Sequence, residues 1–296
     1  MKWQANKIWS SKIHLGSIYA LTEINQNEFV SAGGDGIILK WNLEKQEPPK
    51  ALQKISGQIF TMKTRNEYEL VVGDMNGGIH LIDLQNGILK KSIQSNAGSV
   101  FDFLIHDGIL FSAHKSGKVI CWNNALEPIH VISASSNSLR ALALNDDRNM
   151  CLICGSEGSV FGFDLKNFEM KFSVLVSKMS LFSIAMLNGP QFLTAGRDAK
   201  LYEVKNNRVK EICIAHLNTI NQILIPQDTE WFATAGRDRE LKIWSKDDLS
   251  LLKVINAMRD GGHTASVNRL LFMPAHQSLI SAGDDKTVIV WKISPS

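Results

Sequence analysis

The stretch SAGGDGIILKW at residues 31–41 recurs six more times along a chain of 296 residues. Each copy passes from a small or β-branched residue through a polar turn to an apolar residue ten positions later. The further copies lie at 72–82, 112–122, 153–163, 194–204, 234–244 and 281–291. They start about every 40 residues, and only the last interval, of 47, is clearly longer. A fixed period of this length indicates one supersecondary unit repeated seven times.

Each repeat has the pattern of short strands joined by tight turns. In the last copy, apolar stretches at 266–273, 278–283 and 287–293 are separated by Pro and by Gly-Asp turns. β-branched and aromatic residues broken in this way favour strands over helices. Earlier copies add a fourth stretch, for example at 88–94. The sequence therefore predicts four-stranded antiparallel units.

Seven such units predict an all-β, seven-bladed β-propeller in a single domain, 1–296, because a closed ring leaves no apolar sheet face in water. The last repeat has only three strands, whereas a spare segment with Ile8 and Trp9 precedes the first. We expect this segment to supply the fourth strand of the last blade and so to close the ring. The predicted blades are approximately 14–56, 57–96, 97–136, 137–177, 178–214, 215–256, and 257–293 plus 3–10.

Composition and charge argue against several classes of function. The 32 basic and 29 acidic residues give a net charge of +3, too balanced to favour nucleic acid or an anionic membrane. No stretch approaches the ~18 apolar residues of a membrane span, and residues 1–9 lack the apolar core of a secretory signal. Four cysteines are too few for a disulfide scaffold. We expect a cytoplasmic protein without a cofactor and monomeric on its own.

Cys151 and Cys154 have a spacing found in metal sites. Residues three apart on a strand point to opposite faces, however, and no second Cys or His pair completes a tetrahedral site. We therefore predict a buried strand here and no metal.

Three repeats share four residues at a fixed spacing. A Ser or Thr precedes an Asp by four positions and a Trp by ten, and a His lies upstream. The sets are His14, Ser31, Asp35 and Trp41; His216, Thr234, Asp238 and Trp244; and His263, Ser281, Asp285 and Trp291. Buried together, such residues can satisfy one another's hydrogen bonds. A His–Asp–Ser group also suggests a catalytic triad, but its recurrence in three repeats favours the structural interpretation.

These sets and spacings resemble the WD40 repeat family, and the resemblance covers essentially the whole chain. The other four repeats lack at least one member of the set, and we expect them to rely on apolar packing instead. The resemblance implies a non-enzymatic assembly platform. It also implies that partners bind the face carrying the turns between second and third strands.

Two rings of residues are predicted on that face. The inner ring is the second residue of each first strand, next to an aliphatic residue that should face the core: Tyr19, Phe60, Phe101, Arg140, Phe182, Asn221 and Asn268. The outer ring is the residue before each turn Asp or its equivalent: Gly34, Met75, Lys115, Ser156, Arg197, Arg237 and Asp284. Aromatic residues and Arg are enriched in binding hot spots. The predicted partner-binding residues are Tyr19, Phe60, Met75, Phe101, Lys115, Arg140, Phe182, Arg197 and Arg237.

The sequence leaves several functions open. The leading hypothesis is a scaffold that binds a peptide or protein segment with apolar anchors and acidic flanks. The aromatic residues could instead fill the channel as core. A small-molecule or enzymatic propeller would need carboxylates or His at the channel mouth, and the two rings offer one Asp. A cage for methylated lysine would need an acidic companion. The insertion at 256–263 is a recognition loop or a tolerated surface insertion.

Overall fold

The structure, a computed structural model, describes residues 2–45 and 47–295. Its strands form seven separate four-stranded antiparallel sheets, each built from one repeat. The first strands of neighbouring sheets contact one another all the way round, including those of the first and last sheets. The predicted seven-bladed β-propeller is therefore confirmed.

The strands follow the repeats in order, after β1 (Trp3–Ser11). Blade 1 consists of β2 (Ile18–Asn25), β3 (Glu28–Gly33), β4 (Ile37–Asn42) and β5 (Lys50–Lys54). Blade 2 consists of β6 (Ile59–Asn66), β7 (Glu69–Asp74), β8 (Gly78–Asp83) and β9 (Leu89–Gln94). Blade 3 consists of β10 (Val100–His106), β11 (Ile109–His114), β12 (Lys118–Trp122) and β13 (Pro128–Ser133). Blade 4 consists of β14 (Leu139–Leu144), β15 (Met150–Gly155), β16 (Ser159–Asp164) and β17 (Met170–Leu175).

The remaining blades have the same layout. Blade 5 consists of β18 (Leu181–Asn188), β19 (Gln191–Gly196), β20 (Lys200–Lys205) and β21 (Arg208–Ile214). Blade 6 consists of β22 (Ile220–Leu224), β23 (Trp231–Gly236), β24 (Leu241–Ser245) and β25 (Leu251–Ile255). Blade 7 consists of β26 (Val267–Met273), β27 (Ser278–Gly283), β28 (Val288–Pro295) and β1.

The ring is closed by strand β1, as predicted. It pairs antiparallel with β28 from Trp3 opposite Pro295 to Ser11 opposite Val288, with a bulge at Ile8. Blade 7 therefore joins the two ends of the repeat array in one sheet.

The core consists of seven apolar clusters, and each lies between two neighbouring blades. Blades 1 and 2 enclose one cluster, and the same arrangement continues round to blades 7 and 1. Side chains alternate across a strand, so each sheet presents one apolar face to each neighbour. A closed ring buries all of these faces, which explains why the repeats form a propeller and not an open row.

Helix is confined, within the described residues, to two short turns. They are α1 (Ala257–Asp260), before blade 7, and a 3-10 turn at Pro274–His276. Neither has the length or the apolar character needed to cross a membrane.

Candidate interaction face

A β-bulge at the start of each first strand directs the inner ring. In blade 1, Ile18 pairs with Gly33 and Ala20 with Ala32, so that Tyr19 has no partner on β3. The first strands of the other six blades show the same register shift at the equivalent residue. A bulge re-aims the side chain of its extra residue. The preceding aliphatic residue of each strand, such as Ile18, is fully buried.

The seven inner-ring side chains meet in one depression at the mouth of the channel. The depression has a volume of about 270 Å³, and Arg269 completes its lining within the part of the chain that the structure describes. We call this space the mouth depression. Each inner-ring residue is half-buried. The structure thus brings together five predicted partner-binding residues: Tyr19, Phe60, Phe101, Arg140 and Phe182.

Aromatic rings cover one side of the mouth depression. Tyr19 meets Phe60 edge to face, and Phe60 stacks on Phe101, each pair with centroids 5.6 Å apart. The guanidinium of Arg140 lies 4.1 Å from the Phe101 ring centroid and 5.4 Å from that of Phe182. Such cation–π contacts orient the guanidinium and offset part of the cost of its burial.

The outer ring surrounds the mouth depression on the same face. In every blade, the backbone N–H of the outer-ring residue donates to the carbonyl just before the first strand, at 2.7–3.0 Å. This bond fixes the turn beside the bulge. The other predicted partner-binding residues, Met75, Lys115, Arg197 and Arg237, are exposed on these turns and do not line the depression.

Arg269 is a lining residue that the sequence analysis did not identify. It follows the bulge of β26, and its Nε–H donates to the Tyr19 carbonyl oxygen at 2.7 Å. The signal was present in the sequence, since a charged residue within an apolar strand implies a role inside the channel. Asp102 occupies the equivalent position in blade 3.

The side chain of the residue that follows the bulge connects the first strands of neighbouring blades. Asp102 Oδ2 accepts from the backbone N–H of Leu142 at 2.9 Å, and Ser183 Oγ accepts from that of Ile223 at 2.9 Å. Gln222 Oε1 likewise accepts from the N–H of Leu270 at 2.6 Å. These bonds link neighbouring blades around the channel.

The three complete sets form hydrogen-bonded chains within blades 1, 6 and 7. In blade 6, His216 Nδ1 lies 2.9 Å from Asp238 Oδ1, and its Nε2 lies 2.7 Å from Thr234 Oγ1. The Trp244 indole N–H donates to the same hydroxyl at 2.9 Å. Blades 1 and 7 repeat this geometry through Ser31 and Ser281. The Ser or Thr hydroxyl is fully buried in each set, which leaves no nucleophile accessible to a substrate.

The carboxylates of these sets are stabilised in their charged form. Burial disfavours the charge on Asp238, but the hydrogen bond and attraction of His216 and the backbone N–H of Leu217 outweigh burial and lower its pKa. Asp35 and Asp285 have lowered pKa values for the same opposing reasons. Because the carboxylate only accepts, His216 donates from Nδ1 to Asp238.

The expectation that the other four blades rely on apolar packing alone is wrong for blade 3. Its His comes from the second strand: His114 Nε2 lies 2.7 Å from Ser112 Oγ, which also accepts from Trp122 at 2.7 Å. Residues 112 and 114 share one face of β11, so His114 takes the place that an upstream His takes elsewhere. Burial lowers the pKa of His114 to about 4.

Blades 2 and 5 also contain polar groups that the expectation missed. In blade 2, His80 lies 3.0 Å from Asp74 Oδ2 and 2.7 Å from the Ser92 hydroxyl. In blade 5, the Tyr202 hydroxyl donates to Asp198 at 2.7 Å. A hydrogen-bonded group near the turn can therefore be built from several combinations of residues.

Cys151 and Cys154 lie on the buried strand β15, as the strand pattern predicted. Cys151 faces the cluster between blades 3 and 4, and Cys154 faces that between blades 4 and 5. Burial raises the pKa of both thiols. No group of three or more His, Cys, Asp or Glu side chains in residues 2–45 and 47–295 is placed to hold a metal ion.

The insertion before blade 7 forms α1. Asn256 caps it by accepting from the Arg259 N–H at 3.1 Å, and Lys7 of β1 donates to the Gly261 carbonyl at 3.0 Å. Met258 at its centre is 98% exposed. The insertion is thus an ordered turn fastened to the closing strand.

Comparisons with known proteins agree with this fold. The family model described as "WD domain, G-beta repeat" matches residues 207–245 and 253–292. The chain is 25% identical over 243 residues to WD repeat-containing protein 90 of Xenopus tropicalis, covering 74% of this chain and 13% of that protein. It is 21% identical over 343 residues to a striatin homolog of Dictyostelium discoideum, covering 96% of this chain and 41% of that protein.

Another relative has a ciliary name. Cilia- and flagella-associated protein 52 of Homo sapiens is 23% identical over 177 residues, which cover 58% of this chain and 27% of that protein. The chain thus spans less than half the length of each of these three relatives. The solved WD40 β-propeller domain of Doa1 superposes with a TM-score of 0.85 over 97% of both chains, at 16% identity. The chain thus has the fold of a seven-bladed β-propeller, and its residues 207–245 and 253–292 match the WD-repeat family model.

Proposed function

We propose that the chain is a non-enzymatic scaffold that binds a peptide or protein segment on the face around the channel mouth. One observation carries this proposal: bulges at the same place in all seven blades direct four aromatic rings and Arg140 into one depression. Rigid aromatic and arginine side chains are typical of binding hot spots. The relatives carry WD repeats, and proteins of this family generally act as interaction platforms.

Basic residues on the outer ring support a partner with acidic flanks. Lys115, Arg197 and Arg237 are exposed on three turns of this face, and Met75 adds an apolar contact beside them. Opposite charges around an apolar centre speed association and select partners. A segment with apolar anchors and flanking Asp or Glu residues fits this arrangement.

The alternatives have less support. An enzymatic or small-molecule function would need general acids or bases in the mouth depression, and its lining has no Asp, Glu, His or Cys. A cage for methylated lysine needs open aromatic faces, but Arg140 already lies over Phe101 and Phe182. If the aromatic residues only filled the channel as core, their mutual stacking would be explained but their half-exposed surfaces would not. Cytoplasmic location and monomeric state stay predictions.

Affinity capture with matched variants tests the proposal. The test variant carries Phe60→Ala, Phe101→Ala and Arg197→Glu. The control carries Tyr68→Ala, Ile88→Ala and Lys90→Glu, which removes exposed apolar and basic groups from the opposite end of blade 2. Both variants are first shown to melt cooperatively.

We expect a protein retained by the wild type and the control to be lost by the test variant. Equal capture by all three chains would contradict binding at this face. Loss in the control alone would move the interface to the opposite rim. If no chain retains a protein, a small molecule becomes the better hypothesis.

A further inference from the structure

Among residues 2–45 and 47–295, the lining of the mouth depression includes two arginines and no acidic residue. Arg140 enters from blade 4 and Arg269 from blade 7, and the other six lining residues are uncharged. A depression with two positive charges and no acid in its lining attracts anions.

Each guanidinium is fixed through its Nε–H and keeps both terminal NH2 groups for other contacts. Arg140 Nε donates to Ser156 Oγ at 3.2 Å, and Arg269 Nε donates to the Tyr19 carbonyl at 2.7 Å. Neither arginine makes a second hydrogen bond or an ion pair with any residue in the described part of the chain. An oriented guanidinium with free terminal N–H groups is the arrangement that binds an oxyanion through two hydrogen bonds.

Asp102, an acidic residue inside the channel, already accepts hydrogen bonds at both carboxylate oxygens. Asp102 attracts Arg269 electrostatically, yet its two oxygens accept the backbone N–H groups of Phe103 and Leu142, both at 2.9 Å. Burial lowers the pKa of both arginines, a sign that their charges are poorly solvated. A charge in such surroundings is stabilised by a counter-ion.

We propose that Arg140 forms an oxyanion site at the channel mouth that takes the carboxylate of an acidic side chain from the docked segment, and that Arg269 adds a second positive charge to the same depression. The source of the carboxylate rests on the proposed function, whereas the anion site itself does not. A depression of about 270 Å³ has room for one side chain but not for a large cofactor. The rings of Phe101 and Phe182 flank Arg140 and can pack on the methylene groups of that side chain. A free phosphate ion offers similar oxygens and is the competing occupant.

NMR titration of the full chain tests this site, with the arginine side-chain N–H resonances as the readout. The probes are N-acetylglutamate amide, its neutral match N-acetylglutamine amide, and inorganic phosphate, all at constant ionic strength. We expect saturable shifts of the Arg140 resonances with the glutamate probe and none with the glutamine probe.

Variants separate the site from general attraction. Arg140→Gln should weaken binding of the glutamate probe by about tenfold or more, because it removes a charge-assisted pair. Arg148→Gln removes the same charge from an exposed turn at the opposite end of blade 4 and should change the affinity by less than about twofold. Arg269→Gln also removes a link between blades 7 and 1, so Arg140→Gln is the decisive variant.

Each other outcome overturns a stated part of the inference. Equal weakening by Arg140→Gln and Arg148→Gln would show diffuse attraction and no site. Tighter binding of phosphate than of the glutamate probe would overturn an acidic side chain as the occupant. No saturable shift with either anion would overturn the site, whether or not the chain captures a protein. Failed protein capture together with intact anion binding would reject only the proposed function.

Discussion

A single buried hydroxyl holds each complete hydrogen-bonded set together. Ser281 Oγ lies 2.8 Å from His263 Nε2 and accepts the Trp291 indole N–H at 2.9 Å, and all three residues are fully buried. Without the hydroxyl, both nitrogens lose their partner and no water can reach them. The set is therefore worth more to the fold than its bonds counted one by one.

Replacing Ser281 by Ala should lower the free energy of unfolding by about 1–3 kcal/mol, because it leaves two buried polar groups unpaired. Urea unfolding measures the change. Ser10→Ala in β1 is the matched control, since this exposed serine belongs to the same blade and makes no side-chain hydrogen bond within the described residues. Equal stability of the two variants would contradict the role of the set.

His114 should make stability depend on pH. Its pKa is about 4, against an ordinary 6.5, because burial disfavours the charged ring. The unfolded chain therefore binds a proton that the folded chain does not bind as the pH falls from about 6.5 to about 4. The contribution of His114 to the free energy of unfolding is fully present above this window. It decreases by about 3 kcal/mol as the pH falls through the window.

Urea unfolding at several pH values within that window measures the slope. His114→Gln should flatten it, because the glutamine does not titrate. His130→Gln, which removes an exposed histidine of the same blade, should leave it unchanged. A slope that persists in His114→Gln would show that other groups cause the pH dependence.

At the scale of the element, the turn between second and third strands depends on one left-handed residue. It falls at the same repeat position in all seven blades, with φ between 63° and 90°. In blades 1 to 4 this residue is glycine, and in blades 5 to 7 it is Ala199, Arg239 or Lys286. The turn therefore imposes the backbone conformation whether or not glycine is present, at a cost of roughly 1 kcal/mol where it is not.

Gly158→Ala should be strongly destabilising, by about 2–5 kcal/mol, because a Cβ there would lie 1.9 Å from the Ser177 carbonyl oxygen. Gly189→Ala is the matched control: its φ is also positive, at 51°, but a Cβ would meet nothing within 4 Å. We expect about 1 kcal/mol for the control. Thermal and urea unfolding distinguish the two, and equal effects would contradict the clash.

The sequence predicted the elements well where the signal was local. Strand and turn patterns repeat within each unit, and the aliphatic residue beside each inner-ring residue indicated which way its neighbour points. The histidine of blade 3 departs from the repeat pattern, because in the complete sets the His lies upstream of the first strand. His114 and Ser112 are two apart on one strand and so share a face, a signal that was available.

The contacts inside the mouth depression were less predictable. Arg140 lies over Phe101 because blades 3 and 4 place their bulges side by side, and this proximity depends on how the two blades pack. Sequence periodicity shows that seven residues are equivalent, but it does not show which of them touch. The charge of Arg269 within an apolar strand was a readable signal, but its bond to the Tyr19 carbonyl was not predictable, since the two residues are 250 positions apart.

At the scale of the whole molecule, stability depends on closure. Trp3 and Ala5 of β1 pack against the cluster between blades 6 and 7. Trp9, in contrast, stacks on Trp41 of blade 1, with centroids 5.6 Å apart. One strand therefore supports both interfaces of the last blade. In repeat proteins stability is a sum over neighbouring units, so the loss of this strand weakens two interfaces at once.

Deleting residues 1–11 should lower the melting temperature substantially or prevent folding. Differential scanning calorimetry measures the change. A synthetic peptide of residues 2–12 should restore the melting temperature in proportion to its concentration, because it binds only the folded ring. A scrambled peptide is the control. A truncated chain with the melting temperature of the full chain would contradict the role of β1.

The pairing of β1 with β28 also has a consequence during synthesis. Strand β1 leaves the ribosome before the other strands of the ring, whereas its partner β28 is made after all of them. At ordinary rates of translation this interval lasts on the order of tens of seconds. For that time the nascent chain exposes a strand with two tryptophans and no partner, and chaperones have their longest opportunity to bind it.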